Sequence, residues 1–186
     1  MSLVEPYLKG MLLASFATAC LLPVTAMAIP LNFSATLTNG TCSLSLDKST
    51  LPLGSLSLSA LTPAQLVNAK PFTLSVTDCT GGEGGTLTPV VVVSGAGVRQ
   101  DNRWLFRNSD SAEGVGIMVI KSNTPPAHSQ SEIMSGTAIQ LAAAGKIPVT
   151  QSHTFYAGAT CVSTTSCAKA TTGAVTASLT FTFAYQ

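Results

Sequence analysis

Hydrophobic and polar residues alternate with a period of two in most segments after residue 28. Such alternation puts every second side chain on the same face and is typical of the strands of a β-sandwich. Gly, Pro and Asn-Gly turn signals separate the runs. The strands predicted in this way are 29–37, 42–46, 51–58, 72–79, 90–93, 104–106, 115–120, 147–149, 155–156 and 173–186, with one turn of helix at 60–68. The sequence therefore predicts a single all-β domain.

The final segment, Gly173 to Gln186, has the most regular pattern. One face carries Gly173, Val175, Ala177, Leu179, Phe181, Phe183 and Tyr185, and the other carries mostly Thr, Ser and Ala. Such an apolar face must be buried on a core, because a register slip of one residue would expose all of it. A terminal strand can also leave one long apolar edge unpaired, which invites pairing with another chain. An ordinary last strand in a complete sandwich is the alternative that the periodicity leaves open.

The first 28 residues have the features of a secretory signal peptide. Lys9 provides a positive charge, an apolar stretch runs from residue 11 to about 24, and Ala26-Met27-Ala28 matches the small-x-small cleavage pattern. The stretch is shorter than the roughly 20 apolar residues that span a bilayer. Acylation of Cys20 in a lipoprotein is the alternative. Simple export is the better interpretation, because apolar sequence continues beyond Cys20.

Composition and charge exclude several classes of protein. Hydrophobic residues make up 46% of the chain and charged residues 9%, so the chain can bury enough surface to fold. The net charge is +1 and no run of like charge occurs, which argues against nucleic-acid binding. The sequence has no G-x-S-x-G, H-E-x-x-H or phosphate-loop motif. We therefore expect no enzyme, no cofactor and no small-molecule substrate, and we interpret Gly81–Gly85 as a hairpin loop.

Four cysteines follow residue 28: Cys42, Cys79, Cys161 and Cys167. An even number of cysteines in an exported chain indicates disulfides, and three pairings are possible in principle. The short separation of Cys161 and Cys167 favours a local link, which leaves Cys42 to pair with Cys79. A metal site is the competing interpretation, but no C-x-x-C occurs and the two histidines stand at no ligand spacing. We expect two disulfides and no metal.

Residues 29–186 resemble subunits of chaperone–usher pili, the fimbrial proteins of Gram-negative bacteria. The tail carries most of the resemblance: Tyr185 is penultimate, apolar residues alternate before it, and Gly173 is fourteenth from the end. The segment from Cys42 to Cys79, which includes Leu53-Gly54, looks like the disulfide region of the family. Val115-Gly116-Ile117 is similar to the Gly-rich start of a central strand in that family.

The resemblance implies an incomplete immunoglobulin-like sandwich that lacks its last strand and is completed by donor-strand exchange. A periplasmic chaperone first fills the groove, and the N-terminal extension of a neighbouring pilus subunit replaces it at the outer-membrane usher. Strand addition of this kind uses main-chain hydrogen bonds and pockets for alternate side chains. The implied acceptor groove and chaperone contact comprise Gly173, Val175, Leu179, Phe181, Phe183 and Tyr185. The implied location is the fimbrium at the cell surface, reached through the periplasm.

Residues 29–41 are then the donor-strand extension, and residues 42–186 are the pilin domain. The donor side chains on one face are Ile29, Leu31, Phe33, Ala35 and Leu37. Ala35 stands where the family usually has Gly. The alternative is that these residues form the first strand of the domain, so that no donor exists.

The expected function is that of a structural subunit that contributes to cell adhesion. The short extension resembles those of minor or adaptor subunits more than those of rod pilins. A tip adhesin that binds a host glycan or protein is the alternative, although such adhesins usually carry a separate lectin domain. Trp104 and Phe106 suit a ligand platform or a core, and the loop between Cys161 and Cys167 suits a receptor contact or a stabilised turn. We expect the core and the stabilised turn.

Overall fold

The computed structural model describes residues 40–186 of the chain. The strands are β1 (Gly40–Leu46), β2 (Val67–Gly81), β3 (Pro89–Ser94), β4 (Gly97–Gln100), β5 (Arg103–Phe106), β6 (Gly116–Lys121), β7 (Ala138–Gln140), β8 (Gln151–Thr160) and β9 (Thr180–Tyr185). One short helix, α1 (Thr164–Ala168), precedes the last strand, and a 3₁₀ turn occupies Leu58–Ala60. The predicted signal peptide 1–28 and the predicted donor residues Ile29 to Leu37 lie outside the described residues.

The strands form two antiparallel sheets. The larger sheet has the order β1-β2-β8-β6-β5-β4, and the smaller has the order β7-β3-β9. Their registers are fixed by alternating burial: in β2, Phe72, Leu74 and Val76 are buried while the residues between them are partly exposed. Across the ladder, Phe72 lies opposite Phe155 of β8. The predicted all-β fold is confirmed.

The core lies between the sheets and is mainly aliphatic with a few aromatic side chains. Val91 and Val93 of β3 and Val119 of β6 are fully or almost fully buried in it. Phe106 is also fully buried, and Trp104 packs edge-on against its ring at 6.0 Å between centroids. Trp104 therefore belongs to the partly buried margin of the core, as expected, rather than to an aromatic platform.

Several sequence predictions about single elements are wrong. Residues 51–57 have no ladder pairing and Leu58 begins the 3₁₀ turn, while 147–149 are loop, with Val149 74% exposed. The predicted helix at 60–68 does not form, because Pro63 lacks an N–H donor and Ala64 has a φ of 57° in the left-handed region. The helix lies instead at Thr164–Ala168. Strands β4 and β7 were not predicted, since both are short and have little alternation.

The last predicted strand, 173–186, is paired over only part of its length. β9 covers Thr180–Tyr185, and residues 173–179 are outside any ladder. The side chains still alternate: Val175, Ala177 and Leu179 are partly buried, while the residues between them are exposed. The apolar period was therefore correct, but the pairing that it usually indicates is missing in the first half of the segment.

Both predicted disulfides are present. Cys42–Cys79 joins β1 to β2, and Cys161–Cys167 joins the residue after β8 to α1. The helix also has a capping box, in which the Ser163 side chain accepts from the backbone N–H of Ser166 and the Ser166 side chain accepts from the backbone N–H of Ser163. Within residues 40–186, no helix is long and apolar enough to cross a membrane. The same residues contain no cluster of side chains suited to a metal ion.

Candidate functional site: a cleft beside the terminal strand

Among residues 40–186, the terminal strand β9 lies at the edge of the smaller sheet and one side of its main chain is unpaired. It pairs with β3, with Ala184 opposite Val90 and Thr182 opposite Val92. Beyond the strand end, Gln186 exchanges both main-chain hydrogen bonds with Thr88, at 2.6 and 3.0 Å. Since hydrogen-bonded pairs alternate along an antiparallel ladder, the even-numbered residues face β3. The N–H and C=O groups of Phe181 and Phe183 therefore point away from the sheet.

The unpaired stretch before β9 keeps the same orientation. The carbonyl groups of Ala174 and Thr176 accept hydrogen bonds from the N–H groups of Ala112 and Asn108, both at 2.8 Å. Ser111 Oγ adds a bond to the Thr176 carbonyl at 3.0 Å. These bonds hold residues 174–176 extended from one side only. The result is one continuous edge, from residue 174 to β9, with a free side that faces the larger sheet.

A second wall faces this edge. It consists of the end of β1 and residues 48–58, which cross the surface without ladder pairing. Side chains from β2 hold this wall: Asn68 Nδ2 donates to the Leu53 carbonyl at 3.0 Å, and Lys70 Nζ donates to the Pro52 carbonyl at 2.5 Å. The wall is thus anchored through its carbonyl groups.

Between the two walls lies a cleft, which we define by three adjoining cavities of about 540, 520 and 380 Å³. Leu53, Ile117 and Val175 line both the first and the second cavity, and Leu46, Leu179 and Phe181 line both the second and the third. Because neighbouring cavities share these residues, the cleft is continuous. Its length runs beside the terminal segment from Thr171 to Phe181.

The floor of the cleft is the hydrophobic core itself. The core residues that line the cleft are Phe72, Leu74, Ile117, Val119, Ala157 and Ala159. Phe181 lies above this floor, with its ring centroid 5.7 Å from that of Phe155 and 6.2 Å from that of Phe72. These floor residues, apart from Ile117, are themselves buried, so the apolar surface that the cleft leaves open belongs mainly to half-buried side chains such as Leu179 and Phe181. The arrangement suits the binding of an extended apolar segment.

The structure separates the predicted groove residues into two sets. Gly173, Val175, Leu179 and Phe181 line the cleft. Phe183 and Tyr185 lie beyond it: their rings contact each other at 5.2 Å, and the Tyr185 hydroxyl donates to the Gly81 carbonyl at 3.3 Å. Tyr185 therefore binds the turn after β2 instead of lining the cleft.

The wall at residues 48–58 is the part of the cleft that the sequence did not indicate. Leu51, Leu53 and Leu56 are partly buried there, so the alternation holds from Leu51 to Leu53 and is broken before Leu56. Pro52 and Gly54 interrupt it, and Pro cannot donate to a central ladder. Those two residues are the signal that marks the segment as an unpaired edge.

The first described strand includes residues that the sequence assigned to the extension. β1 begins at Gly40, and Gly40 and Thr41 lie opposite Gly81 and Thr80 of β2. In the described part of the chain, the sheet therefore starts two residues before Cys42. The five predicted donor side chains, at 29, 31, 33, 35 and 37, lie outside it.

A family model described as fimbrial protein matches residues 31–186. The chain belongs to the fimbrial protein family. The resemblance to fimbrial subunits is thereby confirmed, and the family is one of structural pilus proteins of the cell surface rather than enzymes. Among curated proteins, none matches this fimbrial protein.

Two solved structures have the same fold as this fimbrial protein. One is the P pilus rod subunit PapA, which is 23% identical with a TM-score of 0.52; the match covers 78% of this chain and 99% of PapA. The other is a chain from a chaperone–usher pilus, in a study of rod uncoiling, which is 22% identical with a TM-score of 0.51. That match covers 87% of this chain and 100% of the other. At this identity the likeness shows the pilin-type immunoglobulin-like fold.

Proposed function

We propose that this fimbrial protein is a structural subunit of a chaperone–usher fimbria that is polymerised by donor-strand exchange. In this proposal the cleft is the acceptor site. A strand of a periplasmic chaperone fills it first, and the N-terminal extension of a neighbouring subunit replaces that strand at the outer-membrane usher. The observation that carries the proposal is the continuous cleft, which has a core floor and a free main-chain edge along residues 174–181.

The main-chain geometry supports strand addition. The free N–H and C=O groups of the odd-numbered residues along this edge provide the pairing that an incoming strand needs. The side chains of Val175, Ala177 and Leu179 are half-buried and leave apolar surface open in the cleft. An incoming strand with apolar residues at every second position would satisfy both features at once.

Insertion of an apolar strand into the cleft buries several side chains at once. Burial of an apolar side chain contributes about 1.5–3 kcal/mol, so four or five of them contribute roughly 6–15 kcal/mol before entropy losses. A whole domain is stable by about 5–15 kcal/mol. Strand insertion is therefore comparable with the entire stability of the domain, and folding free energy can drive assembly without a nucleotide.

We assign the donor role to residues 29–41, with Ile29, Leu31, Phe33, Ala35 and Leu37 as the inserted side chains. Their alternation supports this assignment. The short extension supports a minor or adaptor position in the fibre, and the predicted signal peptide, with its cleavage pattern at Ala26-Met27-Ala28, supports passage through the periplasm. A tip adhesin is the alternative role.

Substitution of Ala177 by Lys tests the acceptor cleft. Ala177 lines the cleft and packs on the core, so a charge there blocks the insertion of an apolar strand. Ser178→Lys is the matched control, because the neighbouring residue has its side chain on the exposed face. We expect the Ala177 variant to be lost from isolated fimbriae, as measured by immunoblotting, while the Ser178 variant is incorporated normally. Equal incorporation of the two variants would contradict the proposal.

A further inference from the structure

A separate cavity of about 440 Å³, outside the cleft, lies between the β4–β5 hairpin, the loop 107–114 and helix α1. We call it the polar cavity. Its lining is polar. The charged and hydroxyl side chains that contribute most to it are Arg99, Asp101, Arg107, Glu113, Thr165 and Lys169. The volume falls within the roughly 300–1,000 Å³ that is usual for small-ligand sites. This cavity has no apolar floor and shares no lining residue with the cleft.

The charges in this cavity are concentrated and unpaired. Three of the nine Lys and Arg residues of the chain line it, together with two acids. Within the described part of the chain, the ion pairs are Lys48–Asp47 and Arg103–Glu132, and neither includes a residue of this cavity. In a chain with only 9% charged residues, five charges around one cavity without an ion pair among them form a distinct feature.

The walls of the cavity are held in place by the fold. Arg107 Nη2 donates to the Ser111 carbonyl at 2.6 Å, and Ser111 is buried. The N–H of Glu113 donates to Thr171 Oγ1 at 2.9 Å. Gly114 has a φ of +72° and lies against the end of α1, where a side chain would meet backbone atoms. The Cys161–Cys167 disulfide fixes that helix. Arg107, held in this way, loses little freedom when it binds a ligand. Arg99 and Lys169 are exposed, and the Arg99 guanidinium donates to the Asn102 carbonyl and to Met134 Sδ, both at 3.5 Å.

We propose that this cavity binds a saccharide that carries a carboxylate. Guanidinium groups hold carboxylates through paired, charge-assisted hydrogen bonds, and Arg99, Arg107 and Lys169 supply the positive charge. Asp101, Glu113 and Thr165 accept or exchange hydrogen bonds with sugar hydroxyl groups. Gln100 adds a buried Oε1 that has no hydrogen-bond partner within the described residues, and such an acceptor is costly unless a donor reaches it. An apolar peptide finds no apolar contact here.

The site goes beyond the proposed function, since it does not involve the cleft. It gives the second disulfide a binding role: the disulfide shapes α1, and α1 with Lys169 forms one wall of the cavity. A fimbrial protein at the cell surface meets acidic glycans of other cells, which is the setting in which such a site is useful.

The test uses isolated fimbriae that contain the full mature chain. Binding of 3′-sialyllactose and of lactose, which lacks the carboxylate, is measured by surface plasmon resonance. We expect the acidic sugar to bind at least about tenfold more tightly, because a charge-assisted hydrogen bond has that scale. Lys169→Gln and Arg99→Gln each weaken this binding about tenfold. Both residues are exposed, so assembly is expected to be unaffected. Lys146→Gln, an exposed cation elsewhere, is the control.

Equal binding of the two sugars to wild-type fimbriae would overturn the proposal. So would unchanged binding of 3′-sialyllactose to fimbriae with either cavity variant, or a loss of the same size in the Lys146 variant. The amount of the subunit in each preparation is measured by immunoblotting, so that weaker binding is compared at equal incorporation. If donor-strand exchange is wrong but the cavity is right, the sugar preference and its loss in both variants persist.

Discussion

At the scale of single residues, Tyr185 closes one end of the sandwich. Its hydroxyl donates to the Gly81 carbonyl, and both Gly40 and Gly82 lie directly against it, so that a Cβ at either glycine would meet the Tyr185 side chain. The penultimate position was predicted to contact a chaperone in the groove. In the structure the side chain also joins the last strand to the paired ends of β1 and β2 at Gly40 and Gly81.

Gly82→Ala tests this contact. Gly82 has a φ of +80° and a Cβ there would strike the Tyr185 ring, so we expect a loss of about 2–4 kcal/mol in the free energy of unfolding. Gly84→Ala is the control, since Gly84 has a similar φ of +75° and open space around it. The control is expected to lose only about 1 kcal/mol from the backbone conformation. The measurement is urea unfolding, and equal losses in the two variants would contradict the contact.

Three titratable side chains make the fold sensitive to acid. Burial lowers the pKa of His128 and of His153 below the ordinary value of 6.5, with smaller effects of Arg103 and Lys121 respectively. Burial opposes ionisation of Glu132, but hydrogen bonds from the Arg103 side chain and the Trp104 backbone N–H outweigh it and lower its pKa below 4.5. In all three groups the unfolded chain binds protons before the folded chain does as the pH falls.

The stability of the fold is therefore predicted to fall in two steps on acidification. The first begins as the pH falls through about 6.5, where the unfolded-state histidines gain protons first, and the second begins near pH 4.5 with Glu132. The measurement is the urea midpoint at pH 7.5, 5.5 and 4.0. Substitution of both histidines by Gln should remove the first step and leave the second. A midpoint that is constant from pH 7.5 to 5.5 in the wild-type protein would contradict this account.

At the scale of elements, strands with strong alternation were predicted well from the sequence. The buried alternation of β2 and the valines of β3 fix those strands, because a shift of register would expose them. The short strands β4 and β7 were not predicted. They have only four and three residues with little alternation, so their pairing depends on the neighbouring strands rather than on their own sequence. Residues 173–179 are the opposite case, a clear alternation without a ladder. The pattern predicts a strand, but no strand among the described residues pairs with this segment.

The candidate cleft was predictable on one side only. The alternation of 173–185 indicated one wall and its apolar face. The opposite wall depends on long-range bonds, such as Asn68 to the Leu53 carbonyl, that no local pattern encodes. The polar cavity was also beyond prediction, because it gathers Arg99, Arg107 and Lys169 from three separate parts of the chain.

The two disulfides are predicted to contribute unequally to stability. In the chain-entropy description, a bond that closes a longer loop removes more freedom from the unfolded chain. The separations are 37 residues for Cys42–Cys79 and 6 for Cys161–Cys167. Replacement of each pair by Ser should lower the free energy of unfolding by about 4 and about 2 kcal/mol, respectively. Urea unfolding of the two variants measures this, and a larger loss for the second pair would show that the bond to α1 does more than restrict the unfolded chain.

At the scale of the whole molecule, two sheet edges face each other across the apolar cleft in the described part of the chain. Among the described strands, β1 pairs only with β2 and β9 pairs only with β3, so each lies at the edge of its sheet. Long apolar edges are ordinarily covered or shortened because they pair with other chains. Here residues 48–58 and 173–179 extend both edges along the cleft without covering it. Within residues 40–186 the sandwich is open along one seam, which is the physical basis of the proposed assembly.

Thermal unfolding of the mature chain with and without an added donor strand tests this central claim most directly. Residues 29–41 are fused after Gln186 through a flexible linker, and a second fusion carries Asp in place of Leu31 and Phe33. If the seam accepts an apolar strand, the first fusion melts at least about 15 °C above the unfused chain, because each kcal/mol corresponds to roughly 2–4 °C at this size. The Asp-substituted fusion should melt close to the unfused chain. Coincident melting curves for all three proteins would contradict the account.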